Sequence, residues 1–495
     1  MEEKEVKEMI SGILEDGVLE KIQTKEMVTN ILEDRILKPV LEDKLEENHQ
    51  HDVTEMSIAQ DGLIASSESE SLDMSHTNLT KPLAEYKFEN IVLVTGDYES
   101  YKFQHNNERY LKGCKWSPDG SCLLTSCVDN KLRIYDTPKE FFDAKSWSSD
   151  SKLPDLNTSL KVEEGGLVYD FDWFPLMNSW DPISCCFLTT ASEEPVHLWD
   201  AFTGELRASY RTYNYADEIS KAYSAVFNST GEKIYCGFRD SLRVFDTAMP
   251  GMKSTTVKIK AATGQQGIVS CMAFNSTSSL YAVGTYAKEI GLYTENSGTG
   301  VCVFKGHGGG ITQLIFSPDG NRLYSGSRKD SEIVCWDVRN PGVALFSMLR
   351  SVNTQQRIYF DLTSDGSLPK TGMYDFPARN TDGTVSIFNV SDSSYNLDIP
   401  HEKELSFNAY KDCCNGVSIN PICPVIATTS GQRHVPELMS ESDNSEDGDG
   451  DHVFVAHPFT SDTEKIHNYK YLKTKVEDCV KLWWVGDTVS TRLDM

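Results

Sequence analysis

Hydrophobic and polar positions divide the chain into two kinds of sequence. From about residue 90 onward, short apolar runs alternate with turn sequences such as Ser117-Pro-Asp-Gly120 and Ser317-Pro-Asp-Gly320. Short runs rich in β-branched and aromatic residues, bounded by turn residues, predict β-strands. Up to about residue 85 the chain is rich in Glu, Ser and Lys and contains no such run. We therefore expect an all-β body behind a polar tail.

The apolar runs form a repeated unit of three strands, and the third strand ends in an aromatic residue followed by Asp or a similar residue. The closing pairs are Tyr135-Asp136, Trp199-Asp200, Phe245-Asp246, Tyr293-Thr294, Trp336-Asp337, Phe388-Asn389 and Trp483-Trp484. Their separations are 64, 46, 48, 43, 52 and 95 residues. The middle values match the blade period of a WD-repeat β-propeller, and the longer outer ones indicate insertions. Seven closing pairs predict seven blades.

The fullest repeat contains His307, Asp330 and Trp336. With a serine of the second strand, these side chains can form a buried hydrogen-bond network that ties a loop to the third strand. We interpret them as structural residues. The last strand lacks a partner downstream, whereas residues 90 to 95 form an isolated strand upstream. The sequence therefore predicts that this strand closes the ring in the seventh blade.

The net charge of −27 is concentrated in two segments. Residues 1–90 contain 22 acidic and 9 basic residues, and residues 437–464 contain 9 acidic and no basic ones. Such composition buries too little apolar surface to fold. We predict a disordered acidic tail at 1–88, a propeller at 89–487 with a disordered acidic insertion at 437–464 in the last blade, and a C-terminal tail at 488–495. The nearly balanced body can carry a cationic face.

Four segments resemble the telomerase Cajal body protein family, which consists of WD-repeat proteins. They are Leu111-Lys-Gly-Cys-Lys-Trp-Ser-Pro-Asp-Gly-Ser-Cys122, Trp199-Asp-Ala-Phe-Thr-Gly-Glu-Leu-Arg-Ala-Ser209, Gln356-Arg-Ile-Tyr-Phe-Asp-Leu362 and Ser430-Gly-Gln-Arg433. The resemblance covers about residues 90 to 485. It departs around Leu368 to Asn380, where about seven residues, Met373 to Arg379, interrupt an expected strand and two prolines lie in the strand region. This stretch is either a longer loop of the sixth blade or an artefact of the gene model.

The resemblance implies a non-enzymatic scaffold that recognises the Cajal body box of box H/ACA small Cajal body RNAs, and telomerase RNA where present. Implied partners are the H/ACA core proteins, telomerase and a folding chaperonin. The implied location is the nucleus, in Cajal bodies, with some protein in the cytoplasm. The alternative is a scaffold or ligase adaptor that binds only proteins, through acidic peptides.

Loop residues on one propeller face offer cations and aromatic groups, which hold phosphates and stack on unpaired bases. We expect a cationic arc from the second-to-third-strand loops, open at Glu193 and Glu194 of the second blade. The RNA-binding candidates are Arg211, Tyr213, Asn214, Arg239, Lys288, Arg328, Lys329, Arg357, Lys411 and Arg433. Arg379 would extend the arc.

Catalytic and metal-binding motifs are not found in the sequence. Phe304-Lys-Gly-His-Gly-Gly-Gly310 lacks the Gly-Lys-Ser/Thr ending of a phosphate loop, and no cysteine or histidine spacing indicates a zinc site. We therefore expect no catalytic residue, metal or cofactor. The 13 cysteines favour reduced, buried thiols. No apolar run is long enough to span a membrane, so no membrane association is expected.

Overall fold

The structure is a computed structural model, and its described residues all belong to one unit, Lys81–Met495. The described residues are 86–88, 90–102, 109–148, 151–213, 219–363, 375–379 (backbone only), 382–390, 400, 403–433 and 477–489. The predicted insertion at 437–464 and most of the two predicted tails lie outside them.

Alternating apolar runs form 29 strands within these residues. In chain order the strands are β1 (Val92–Asp97), β2 (Leu111–Trp116), β3 (Cys122–Cys127), β4 (Lys131–Asp136), β5 (Trp147–Ser148), β6 (Leu160–Glu163), β7 (Val168–Trp173), β8 (Cys186–Ala191), β9 (Val196–Asp200), β10 (Leu206–Tyr210), β11 (Ser224–Phe227), β12 (Lys233–Gly237), β13 (Ser241–Asp246), β14 (Thr255–Lys258), β15 (Val269–Phe274), β16 (Leu280–Thr285), β17 (Glu289–Thr294), β18 (Gly300–Lys305), β19 (Ile311–Phe316), β20 (Arg322–Ser327), β21 (Glu332–Asp337), β22 (Ala344–Leu349), β23 (Asp375–Arg379), β24 (Thr384–Asn389), β25 (Leu405–Asn408), β26 (Cys414–Ile419), β27 (Val425–Ser430), β28 (Val480–Trp484) and β29 (Thr488–Val489). Two short helices are α1 (Glu140–Asp143) and α2 (Ile259–Thr263).

Apart from the parallel pair of β5 and β29, the strands form antiparallel sheets that follow one another along the chain. Six sheets have four strands: β2-β3-β4-β6, β7 to β10, β11 to β14, β15 to β18, β19 to β22, and β26-β27-β28-β1. A further sheet, β23-β24-β25, has three. First strands of neighbouring sheets lie side by side, as β2 does with β26 and β15 with β19. These first strands therefore surround a central channel, and the predicted all-β propeller is confirmed.

The central strands are apolar on both faces because each sheet is packed between two others. Every residue of β3, β8, β16 and β27 is buried. Twelve of the 13 cysteines are buried, all 13 are free thiols, and Cys302 is half-buried. The prediction of buried, reduced thiols is therefore confirmed for all but Cys302.

The ring closes as predicted, through the isolated upstream strand. β1 is the outer strand of the last four-stranded sheet and pairs antiparallel with β28, with Gly96 opposite Lys481. The free edge of β1 is covered in turn, because the Leu153 and Leu156 N–H groups donate to the carbonyls of Val94 and Gly96. Such coverage protects an edge strand from pairing with other chains.

The packed region is slightly longer than the predicted propeller at both ends. The Tyr86 hydroxyl donates to the Asn420 carbonyl at 2.6 Å, and Tyr86 and Phe88 are buried. Beyond the predicted limit at 487, β29 pairs with β5, two residues within the insertion between β4 and β6. Residues 86–88 and 488–489 thus pack with the propeller, which the apolar pattern alone did not indicate.

The segment 373–379, expected to interrupt the sixth repeat, contributes a strand. The backbone of β23 pairs with β24, and Pro377 lies opposite Ile387. Proline is tolerated here because β23 is an edge strand of its sheet. Residues 359 and 360 lie between the first strands β19 and β26. The Gln313 side chain of β19 accepts from the Phe360 N–H and donates to the Phe360 carbonyl, and the Tyr359 N–H donates to the carbonyl of Asn415 in β26.

Candidate nucleic-acid interface

A buried network in each of several blades fixes the loops that enter the first strands. In the fifth repeat, His307 contacts Asp330 at 2.8 Å and the Ser325 hydroxyl at 2.6 Å, and Trp336 Nε1 donates to the same hydroxyl at 2.7 Å. Burial opposes ionisation of Asp330, but hydrogen bonds from His307 and Ser327 outweigh it and hold the pKa well below 3.8. The structure thus joins the three predicted network residues through Ser325.

The second blade builds the same network from other residues. Glu164 replaces the histidine, accepting from Trp199 at 2.9 Å and contacting His197 at 3.0 Å. Burial raises the pKa of Glu164, but these hydrogen bonds bring it below 4.5. The fourth blade uses Gln265, which accepts from the Tyr293 hydroxyl at 2.8 Å. Sequence analysis missed Glu164 and Gln265 because it searched for the histidine; the shared signal is a polar residue before each first strand.

Loops between second and third strands lie on one face, here called the upper face, and they contain four of the cations predicted to form the arc. Arg239, Lys288, Lys329 and Arg433 are exposed there. Lys288 and Lys329 adopt left-handed φ values of 70° and 48°, and the equivalent turn position of the third blade holds Asp240. Lys288 and Lys329 therefore occupy the same turn position in blades four and five, whereas in blade three Asp240 occupies that position and Arg239 precedes it. Glu193 is exposed at the same turn position of blade two, as predicted.

Three other candidates lie on connections that enter first strands. Arg211 and Tyr213 are exposed between β10 and β11, and Lys411 is exposed just before β26. The Lys411 backbone N–H donates to Glu477 at 2.8 Å. Asn214 and the Arg379 side chain lie outside the described residues.

Two predicted residues, Arg328 and Arg357, meet at the upper mouth of the central channel. A cavity of about 290 Å³ opens there. Its lining includes five tyrosines from five different connections or strands, namely Tyr110, Tyr169, Tyr223, Tyr286 and Tyr359. Lys112, Ser126, Gln355 and Gln356 also line it. We call this cavity the channel mouth.

Arg357 mainly holds the channel wall together. Its Nη1 pairs with Asp170 at 3.1 Å, and its Nη2 donates to the carbonyls of Ser270 at 2.5 Å and Tyr223 at 3.3 Å. Only 13% of the side chain is exposed. The guanidinium of this predicted RNA contact thus binds groups of three other blades. It adds positive charge to the mouth while its described donors are directed to the channel wall.

Arg328 is placed differently. Its guanidinium lies 3.8 Å from the Tyr286 ring centroid and donates to the Tyr286 hydroxyl at 2.5 Å. Two other residues that line the mouth, Tyr169 and Tyr223, stack with centroids 5.7 Å apart. Flat cationic and aromatic surfaces of this kind stack on nucleobases.

Local backbone irregularities direct two side chains into the mouth. In β2 and β7 the register slips at the second residue, which is Lys112 in one and Tyr169 in the other. A β-bulge re-aims the side chain of the extra residue. Burial, with the nearby charge of Arg357, lowers the pKa of Lys112 from 10.5 to about 8.

Sequence analysis missed the mouth tyrosines and Lys112. Each lies in, or next to, a first strand or a turn, where an aromatic residue resembles core. The available signal was a polar or amphipathic residue at the start of a first strand, as in Tyr110-Leu111-Lys112 and Tyr223-Ser224.

Comparison with known proteins gives the family. The family described as WD domain, G-beta repeat matches residues 99–136 and 298–337. A protein of Mesocricetus auratus named telomerase Cajal body protein 1 is 40% identical over 390 residues, 78% of this chain and 67% of that protein. The chain belongs to the telomerase Cajal body protein 1 family.

Two more members of the telomerase Cajal body protein 1 family agree with this assignment. The Homo sapiens protein is 42% identical over 389 residues, 78% of this chain and 65% of its own length. The Mus musculus protein is 43% identical over 349 residues, 70% of this chain and 63% of its own length. The chain thus matches just under two thirds of the length of these two relatives.

In the described part of this family member, no helix is long and apolar enough to cross a membrane. No three His, Cys, Asp or Glu side chains among the same residues are placed to hold a metal ion.

Proposed function

We propose that the chain is a non-enzymatic RNA-binding scaffold that recognises the Cajal body box of box H/ACA small Cajal body RNAs, and telomerase RNA where present, and directs the particle to Cajal bodies. The observation that carries the proposal is the channel mouth, where five tyrosines surround Arg328 and Lys112. Unpaired RNA bases are recognised by stacking on such side chains. The names of the relatives, which join telomerase and Cajal bodies, support the same function.

The upper face also supplies charge for the RNA backbone. The exposed Lys288, Lys329 and Arg433 surround the mouth in separate blades, so a short RNA loop would meet cations on several sides. Phosphate contacts position an RNA, whereas base contacts specify it. The arc therefore supplies affinity, and the mouth supplies selectivity. H/ACA core proteins and telomerase would join as partners through the bound particle, in the nucleus and partly in the cytoplasm.

Seven blades form part of this proposal. Residues 359 and 360 bond to Gln313 of β19 and to Asn415 of β26, which are first strands on either side. This segment would lie at the first-strand position beside the β23-β24-β25 sheet and complete a seventh blade, with β23 remaining the edge of the three-stranded sheet. Its neighbour Arg357 reaches the mouth from this position.

The test is a fluorescence-anisotropy titration of the full chain with an RNA hairpin whose loop carries the Cajal body box. A loop-scrambled hairpin serves as the RNA control. We expect preference for the intact loop, weaker as salt rises. Arg328→Glu and Arg433→Glu should each lower affinity and flatten the dependence of log K on log salt by about 0.7, the value for one single-strand phosphate contact.

The matched protein control is Lys233→Glu, an exposed lysine at the opposite end of its blade. It should bind RNA like the unmodified chain. Equal binding of intact and scrambled loops, or unchanged salt dependence in both arginine variants, would refute the proposal and favour a scaffold that binds only proteins, such as an adaptor for acidic peptides.

A further inference from the structure

The channel mouth contains three buried polar atoms that make no hydrogen bond within the described residues. They are Ser126 Oγ, Arg328 Nε and Gln356 Oε1. Buried polar groups in native proteins are nearly always paired, so each exception calls for a reason. Here the three come from three separate loops or strands and line a single cavity. Their grouping indicates a ligand that offers both donors and acceptors.

The shape of the mouth restricts that ligand to a small flat group. The volume of about 290 Å³ is at the lower end of the range for small-molecule pockets. The Tyr169–Tyr223 stack and the Arg328–Tyr286 pair both line the mouth. A duplex cannot enter such a space, whereas one aromatic ring can.

The positive charges in and around the mouth favour an aromatic ring that is attached to phosphate groups. Lys112 and Arg328 line the mouth, and Lys288 and Lys329 are exposed on the turns of blades four and five. Every nucleobase presents donors and acceptors on its Watson–Crick edge, and single-stranded loops can turn a base out of the stack.

We infer that the channel mouth holds one unpaired nucleobase, extruded from the bound RNA loop, and pairs its edge with Gln356, Arg328 and Ser126. This inference rests on the proposed function and adds the subsite. Rotation of the Ser126 and Gln356 side chains would bring their unpaired oxygens to the base edge. One loop position should therefore contribute far more than its neighbours.

The experiment removes bases one at a time. The full chain is titrated with the same hairpin carrying a single abasic nucleotide at each loop position in turn. We expect one position to lose about 10- to 100-fold in affinity, the range for one base–aromatic stack, and the others to lose much less. In the variants Tyr223→Leu and Gln356→Met, the intact hairpin should bind more weakly, and the abasic change at that position should cost little more.

Two variants are used because Tyr223→Leu could perturb folding, whereas Gln356→Met retains the side-chain length. Gln266→Met, an exposed glutamine between α2 and β15, is the matched control and should leave the abasic profile unchanged. A flat abasic profile with tight binding would overturn the base subsite and leave RNA binding intact. Full abasic sensitivity in both mouth variants would also overturn it. No binding of the intact hairpin would overturn the proposed function as well.

Discussion

Truncation of the N-terminus tests how the ring is closed. Deleting residues 1–80 keeps Tyr86, Phe88 and all of β1, so the melting temperature should change by less than about 2 °C, because all of the described contacts of the propeller are retained. Deleting residues 1–97 removes β1 and leaves β28 as an unpaired edge. The second deletion should destabilise the protein sharply.

The size of the loss follows from the contacts of β1. Val94 is 1% exposed and packs in the cluster of Val480 and Trp484, and burial of such a side chain contributes about 1.5–3 kcal/mol. Asp97 accepts from the Tyr135 hydroxyl at 2.7 Å, and loss of a charged partner costs about 1.5–3 kcal/mol. With the lost backbone pairing, the total exceeds about 5 kcal/mol, comparable with the stability of a whole domain.

Thermal unfolding, followed by circular dichroism and differential scanning calorimetry, measures the difference. We expect the longer deletion to melt at least about 5 °C lower than the shorter one, or to be recovered only as aggregate. Val94→Asp in the full chain checks that the effect belongs to β1, since it places a carboxylate in the same cluster. Equal melting curves for the two deletions would refute closure by β1.

Three further predictions concern the loop network and the mouth. Ser325→Ala leaves His307 and Trp336 without their shared hydroxyl and should cost about 2–4 kcal/mol by chemical denaturation, whereas the exposed control Ser297→Ala should cost less than about 0.5 kcal/mol. The folded-state pKa of Asp330 is depressed, so its contribution to stability is complete above about pH 4 and is lost as the pH falls below that. Asp330→Asn should therefore reduce the loss of stability at acid pH. An unchanged loss would contradict the role of Asp330 in the network. Because burial lowers the pKa of Lys112 to about 8, the side chain loses its positive charge as the pH rises from 7 to 9, and RNA affinity should fall. Lys112→Met should reduce this dependence of affinity on pH. An identical dependence in the variant would exclude Lys112 as the titrating group.

Local sequence was sufficient for the all-β propeller and for the closure of the ring by β1, but not for the site. Turns such as Ser317-Pro-Asp-Gly320 and third strands ending in Trp336-Asp337 have short-range signatures. The count of strands left one without a partner upstream of the first blade and one in the last blade, which predicted that the two pair. The mouth instead depends on which first strands lie side by side. No local pattern states that Tyr169 and Tyr223, from different blades, stack.

Two residues show how distant neighbours act. Arg357, predicted to contact RNA, also contacts Asp170 and two carbonyls that the fold brings to it from other blades. Pro377 was expected to interrupt a strand, but its strand is an edge of its sheet, where a missing N–H does not matter. In both cases a distant neighbour, absent from the local sequence, decides the outcome.

Pairing of β1 with β28 also governs how the protein can be made. A ribosome adds about 5–20 residues per second, so β1 leaves it tens of seconds before its partner exists. During that time the nascent chain carries an unpaired edge that can join other chains. This interval is a physical reason to expect help from a chaperonin. A chain that terminates before β28 lacks the partner strand of β1 and cannot complete the ring. The unpaired edge of β1 would mark such a fragment as incomplete for cellular quality control.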